Sequence, residues 1–255
     1  MSLLASEGLA IEIGGKRIGG DLDLAFRAGE SWAVLGANGA GKTTLLHTLA
    51  GLRPPTEGRV LLDGQALAGM RRRTIANRLG ILLQASEDPF PATVLETALI
   101  GRHPHIGPWR QEGPEDYRRA RQALADVEMD ALADRPIDTL SGGERRRLAL
   151  ATLLTQDPAV YLLDEPSNHL DLHHQIRLLG HLRERARRDG GTLVMALHDV
   201  NLAARFCDHV VLIFHDGQVR HGRAAELLQP GHLTCLYNHP VEAVEVAGHR
   251  AFVPT

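Results

Sequence analysis

The chain predicts an α/β fold, a mostly parallel sheet covered by helices, and three observations carry that expectation. Short apolar runs alternate with segments of helical spacing along much of its length. Three of those runs stop abruptly at polar residues: 31–35 at GANGAGKT (36–43), 160–163 at Asp164 and Glu165, and 192–197 at His198. Glycine pairs and an Asp-Gly step punctuate the opening segment, where the texture is instead that of hairpins.

Taken in order, residues 9–13, 18 and 22–26 alternate apolar and polar around Gly14-Gly15 and Gly19-Gly20, with glycine supplying the turns. A strand at 59–62 closes at the Asp63-Gly64 turn, and a shorter one at 81–83 closes at Gln84. Between Asp88 and Pro158 the spacing becomes helical around 94–100 and 117–127, charges accumulate, and 104–114 is a proline- and glycine-rich loop. This stretch reads as a helical insertion. Strand and helix alternation then resumes through 160–163, a helix at 173–188, 192–197, a helix at 201–207 and 210–214.

Composition narrows the function. At 255 residues the chain holds one large domain, with no room for a tandem pair. Charged residues at 23% and apolar ones at 44% are those of an ordinary globular protein. With 28 Lys and Arg against 31 Asp and Glu there is no overall field favouring nucleic acid, so no nucleic-acid partner is expected. Cys207 and Cys235 are isolated and read as thiols of a reducing compartment. No run approaches the roughly 18 apolar residues that cross a bilayer, and no leader pattern opens the chain. A cytoplasmic chain is expected, reaching a membrane only through a partner.

Gly36, Gly41, Lys42 and Thr43 match G-x-x-x-x-G-K-[ST], with Gly39 adding a further permissive position. Glycines let the N–H groups of Gly36, Ala37, Asn38, Gly39, Ala40 and Gly41 turn inward around phosphate oxygens, and the helix that follows, with Thr44 in its first turn, offers its positive end. Lys42 would reach the terminal phosphates and Thr43 would hold Mg2+. An incidental lysine in a glycine-rich turn is the plain alternative, but the motif lies between an apolar strand and a helical run, as phosphate binding requires.

Ligands bind beyond the carboxyl ends of parallel strands, where Gly36, Gln84, Asp164 and His198 all fall. Asp164 and Glu165 point opposite ways if the strand ends between them. Asp164 would then support Mg2+, Glu165 would polarise the attacking water, His198 would orient that water or touch the phosphate, and Gln84 would sense metal and nucleotide. Taken alone, an Asp-Glu pair could equally open a helix, since Ser167 follows. Most of the 14 histidines are bystanders, and His169, His173 and His174 read as a helix start rather than a metal site.

LSGGE (140–144) is the odd piece. Ser141 and Glu144 form a capping box, which leaves the helix-averse pair Gly142 and Gly143 unexplained. A glycine pair at a capped helix start exposes backbone donors to phosphate, so this element could cover ATP held by a second copy, in a head-to-tail dimer with two composite sites. Arg145, Arg146 and Arg147 read as a solvated helix face.

Together, in this order and over nearly the whole chain, these motifs resemble the nucleotide-binding subunit of ATP-binding cassette (ABC) transporters. The resemblance implies a P-loop ABC ATPase fold with an antiparallel N-terminal β subdomain and an inserted helical subdomain. It makes Gln84 the Q-loop glutamine, LSGGE the signature, VYLLDE the magnesium and catalytic-base strand, SNHLD the D-loop with Asp171 near the dimer seam, and His198 the switch histidine. Two departures stand out. Glu144 replaces the usual glutamine, and an aliphatic residue, Ile13, lies where an aromatic ring often meets adenine.

The expected organisation is a single domain, 1–255, with a nucleotide-binding core and β subdomain at 1–87 and 158–232, a helical insertion at 88–157 and an extension at 233–255. Within the family, residues 93–107 and 233–246 resemble importers of iron chelates, haem and cobalamin. That implies ATP and Mg2+ as cofactors and two copies of this chain beneath a polytopic permease, at the cytoplasmic face of the inner membrane. A binding protein outside it would be an indirect partner. The stretch after Gln84, including Phe90, Thr93 and Val94, would dock on the permease, and it reads equally as the start of an amphipathic helix, which is compatible with docking. A soluble single-cassette ATPase of cofactor assembly is the rival; a kinase would leave Gly142 and Gly143 without a role.

Overall fold

The computed structural model describes residues 2–84, 91–107, 109–168, 171–246 and 248–255. The chain opens with β1 (Ser2–Ile13), β2 (Lys16–Leu22) and β3 (Ala25–Arg27). β4 (Ser31–Leu35) then runs into α1 (Lys42–Leu49), followed by the β5 (Glu57–Leu62) and β6 (Gln65–Ala66) hairpin, α2 (Arg72–Ala76) and β7 (Leu79–Leu82). Three helices follow, α3 (Val94–Leu99), α4 (Pro114–Asp126) and α5 (Gly142–Gln156). The second half alternates β8 (Val160–Asp164), α6 (Leu172–Arg188), β9 (Thr192–Ala196), α7 (Val200–Phe206), β10 (His209–Ile213) and β11 (Val219–Arg223). Short helices α8 (Ala224–Leu227) and α9 (Pro230–Tyr237) lead to a final hairpin, β12 (Val241–Val246) and β13 (His249–Pro254).

Among the described residues the central sheet has the order β11-β10-β4-β9-β8-β7, parallel except for the β10–β11 pair. Strands β4, β8 and β9 are buried along their whole length, which is why they read as unbroken apolar runs. Their side chains still alternate. Trp32, Val34, Leu162 and Val194 pack towards α1 and the N-terminal strands, while Ala33, Leu35, Leu163 and Met195 pack towards the core formed with α5, α6 and α7.

The N-terminal sheet, ordered β2-β1-β5-β6 with β3 also on β1, is antiparallel. Gly14 and Gly15 both have positive φ, +56° and +80°, and form the two-residue turn that pairs Ile13 with Lys16. A mixed sheet of mostly parallel strands, an antiparallel N-terminal sheet and packed helices are thus the architecture that the sequence predicts.

Two alternatives are decided and one expectation changes. The pair Asp164-Glu165 does not open a helix: β8 ends at Asp164, and α6 begins at Leu172, capped by Asp171. Val94 is fully buried and Thr93 caps α3, with its hydroxyl accepting from the Glu96 N–H, so the helix-start reading of this stretch holds; Phe90 lies outside the described residues. The arginine run is not uniformly solvated, because Arg146 is 9% exposed and turns into the protein.

Candidate functional site

Four neighbouring parallel strands, β4, β9, β8 and β7, end on one edge of the central sheet, and the residues just beyond them surround a cavity of about 550 Å³. That volume suits a small ligand. From the loop after β4 and the start of α1 come Asn38, Gly39, Gly41, Lys42, Thr43 and Thr44; Gln84, Glu165 and His198 come from beyond β7, β8 and β9. Ile13, at the end of β1, closes one side. Gly36, Ala37 and Ala40 do not line the cavity. Ala40 packs into the core, while the carbonyls of Gly36 and Ala37 accept from Lys42 Nζ at 2.8 and 3.2 Å.

Gly41 shows why the loop needs its glycine. It caps α1 with φ +109°, and an added Cβ would lie 2.5 Å from Ile18 Cδ1 and 2.7 Å from Ile13 Cδ1. The helix therefore starts directly against the hairpin, which brings Ile13 to the cavity rim. Burial pushes the Lys42 ammonium below its ordinary value, against the opposing pull of the Glu165 and Asp164 charges.

Glu165 is 8% exposed and sits in the left-handed region, φ +51°, unusual for a side-chain-bearing residue. This turns the chain out of β8, so Asp164 stays in the sheet while Glu165 reaches the cavity. The Glu165 N–H donates to Ala196 O at 3.1 Å. One carboxylate oxygen, Oε2, accepts from Gln84 Nε2 at 3.1 Å and from Asn168 Nδ2; the other, Oε1, meets His198 Nε2. Such a carboxylate is oriented from three sides and can accept a proton.

Asp164 is completely buried, and neither carboxylate oxygen has a hydrogen-bond partner. An orphaned buried carboxylate is costly unless a cation meets it. Asp164 itself does not line the cavity, whereas Thr43 and Gln84 do; a carboxylate, a hydroxyl and an amide oxygen are donor types that suit Mg2+, which takes one or two carboxylates and fills its remaining positions with phosphate and water. Among the described residues no cluster of three or more His, Cys, Asp or Glu offers a metal site on its own, and His174 is instead engaged with Asp171 and Glu128.

The remaining predicted residues lie apart. Ser141 Oγ caps α5 by accepting from the Glu144 N–H at 3.3 Å, and Glu144 Oε2 accepts from the Ser141 N–H at 2.7 Å, the expected capping box. That bond from the Ser141 backbone, with help from its side chain, holds the Glu144 carboxyl below its ordinary range. Gly142 is exposed with open space where a Cβ would stand, and neither it nor Ser141, Gly143 or Glu144 lines the cavity. Asp171 is exposed and caps α6. Two residues escaped the sequence reading. Asn168 was signalled only by lying one turn beyond Glu165, and Arg146 only by sharing an apolar helical stripe with Leu150 and Leu153.

The pattern that defines the ABC transporter family matches residues 20–168, more than half of the chain. The chain belongs to the ABC transporter family. It is an ABC ATPase, with ATP as the family's nucleotide. It is 36% identical to the ferric enterobactin transport ATP-binding protein of Escherichia coli, over 98% of this chain and 93% of that one. It is 40% identical to a hemin import ATP-binding protein of Streptomyces coelicolor, over 94% of this chain and 85% of that one. An ABC transporter described as of the metal-chelate type, solved facing inward, superimposes with a TM-score of 0.86 at 28% identity, covering 100% of this chain and 98% of its counterpart.

Proposed function

We propose that this chain is the ATP-hydrolysing subunit of an importer of a metal chelate, an iron–siderophore, haem or cobalamin, working as a head-to-tail dimer on a separate polytopic permease. The observation that carries the hydrolytic half is the Glu165 carboxylate, fixed by Gln84, Asn168 and His198 at the wall of the cavity that Lys42 also lines.

In this reading the phosphate loop, 36–44, wraps the phosphates with its N–H groups, and Lys42 gives its bonds to Gly36 and Ala37 over to the terminal phosphates. Ile13 presents an aliphatic face to the base. Glu165 accepts a proton from the attacking water, and His198 steadies both that carboxylate and the phosphate. Thr43, Gln84 and Asp164 would hold Mg2+, which when bound offsets phosphate charge. Catalysis is then mainly positioning and charge stabilisation.

Ser141, Gly142 and Gly143 suit the role of closing the partner's site. They stand at the start of a 15-residue helix, Ser141 and Gly142 exposed and Gly143 half-buried, away from their own chain's cavity. The first N–H groups of such a helix have no intrahelical acceptor and attract anions. Asp171, exposed at the start of α6, fits the seam of that dimer. The unit 88–157 would carry the motion to the permease, and the chain would sit peripherally at the cytoplasmic face of the inner membrane; among the described residues no helix is long and apolar enough to cross it.

The test is affinity purification of tagged Glu165→Gln chain from its native cells with ATP and mild detergent, followed by mass spectrometry. Recovery of a polytopic membrane subunit, with an extracytoplasmic binding protein as its neighbour, is expected. Recovery of soluble partners alone would overturn the importer reading and favour the soluble ATPase. In steady state, Glu165→Gln should bind ATP and lose about 10²–10⁴-fold in turnover; near-normal release of phosphate removes Glu165 as the base.

A further inference from the structure

Arg146 lies at the fifth position of α5, one turn past Ser141, and its guanidinium is buried against the ends of two strands. Nη1 donates to the carbonyl of Leu83, the residue after β7, at 2.6 Å. Nη2 donates to the carbonyl of Glu165 at 2.8 Å and to that of Asp164. The residues governed by these three carbonyls are the ones that meet in the cavity: Leu83 precedes Gln84, and Gln84 Nε2 bonds Glu165 Oε2. One planar, rigid group thus sets the spacing between the two backbones that bring Gln84 and Glu165 together.

The clamp also falls on a strained piece of backbone. Glu165 holds a positive φ, a conformation that persists only when its surroundings enforce it. Ala196 O takes its N–H, and Arg146 takes its carbonyl, so the peptide groups on both sides of the strained residue are fixed.

We propose that Arg146 is a positioning residue that aims the Glu165 carboxylate, and that it links this aim to the helix start at Ser141–Gly143. The inference rests on the reading of Glu165 as the base and of the α5 start as the element that meets the partner's nucleotide. A pull on that helix start by the second copy's ATP then reaches the chain's own Glu165 through one side chain. Arg146 touches no substrate; it acts through the backbone. A merely structural arginine would only tie α5 to the sheet, and its loss would lower stability without altering the chemistry of the chains that remain folded.

The experiment compares the full-length chain with Arg146→Met, Arg146→Lys, Glu165→Gln and the Met–Gln double variant. It reads kcat and KM for ATP per folded chain, with phosphate release as the signal. Misplacing a reacting group by an ångström costs about 10²-fold, so Arg146→Met should lower kcat by that order with KM within about threefold. Arg146→Lys, which keeps the charge but cannot fork between two strands, should recover only part of the loss. In the Glu165→Gln background Arg146→Met should change the residual rate by less than about twofold, because the two act as a unit.

A kcat within threefold of the parent in Arg146→Met, full rescue by lysine, or losses that multiply in the double variant each overturn the proposal. If the methionine variant does not fold, Arg146→Lys and its double with Glu165→Gln are read by the same criteria. Near-normal turnover by Glu165→Gln alone brings down the reading of the site itself, and is read before any Arg146 variant.

Discussion

Gly101→Ala sets local preference against packing, and the structure says which wins. Gly101 lies in the single 3-10 turn, Ile100–Arg102, that extends α3, with no positive φ, so alanine fits the backbone. Local propensity alone would favour the substitution by about 0.5–1 kcal/mol. Its Cβ, however, would lie 2.2 Å from Thr152 O and 2.8 Å from the Gln156 N, both main-chain atoms of α5 that cannot rotate away. Reaching the tightest tolerated contact, 3.0–3.4 Å, requires the two segments to part by about 1 Å.

That separation stretches the bond from Arg102 Nη1 to Thr155 O, now 3.1 Å, and the one from Thr152 Oγ1 to Thr97 O, now 3.3 Å, past useful length. Overpacking costs about 1–3 kcal/mol, and the two bonds add about 0.5–1.5 for the hydroxyl and about 1.5–3 for the guanidinium. The net loss is about 2–7 kcal/mol, which should lower Tm by at least about 4 °C. Urea and thermal unfolding measure it, with nucleotide affinity as the control, since Gly101 is not part of the cavity. A chain as stable as the parent, or more stable, would refute the close approach of the α3 turn to α5 and the reasoning built on it.

Other expectations can be checked alongside. Gly142→Ala should leave stability within about 1 kcal/mol of the parent or raise it, because the added Cβ would stand in open space and alanine is the better helix former; hydrolysis should nonetheless fall, and unchanged turnover would count against Gly142 meeting the partner's phosphate. Lys42→Ala should weaken ATP binding by tenfold or more in equilibrium titration, as a charge-assisted phosphate contact is removed; equal affinity would undo the phosphate-loop assignment. Asp208 is pushed up by burial, but donors from Ser31 and the charges of Arg187 and Arg183 outweigh this and hold it below the ordinary carboxylate range. Its stabilisation is therefore complete above its unfolded value of about 4 and is lost as pH falls through the lower folded value. The stability gap between parent and Asp208→Asn, followed by urea unfolding, should be widest near neutrality and narrow as pH falls below about 4; a gap independent of pH would refute it.

What could be read in the sequence is what the backbone itself dictates. The strands β4, β8 and β9 announce themselves because both faces are buried, and Gly41 because no other residue fits its φ and its contact with Ile13 and Ile18. The Ser141–Glu144 box is local chemistry, complete within four residues. Boundaries were less legible: β7 covers Leu79–Leu82 rather than 81–83, since Leu79 and Gly80 pair with Val160 and Tyr161, and partners so distant in sequence leave no local mark.

Arg146 could not be found by the same means. Three consecutive arginines are equivalent to any local rule, and which one turns inward depends on how α5 lies across the ends of β7 and β8, a long-range matter. Its position four residues before Leu150 and seven before Leu153 puts a charge on the buried stripe of the helix, and a charge there has to be met by fixed acceptors. The acceptors are the carbonyls of Leu83, Asp164 and Glu165, the last a residue in the left-handed region of backbone space. A local rule broken on α5 and another broken after β8 thus answer each other, and both lie where the cavity holds its most constrained carboxylate.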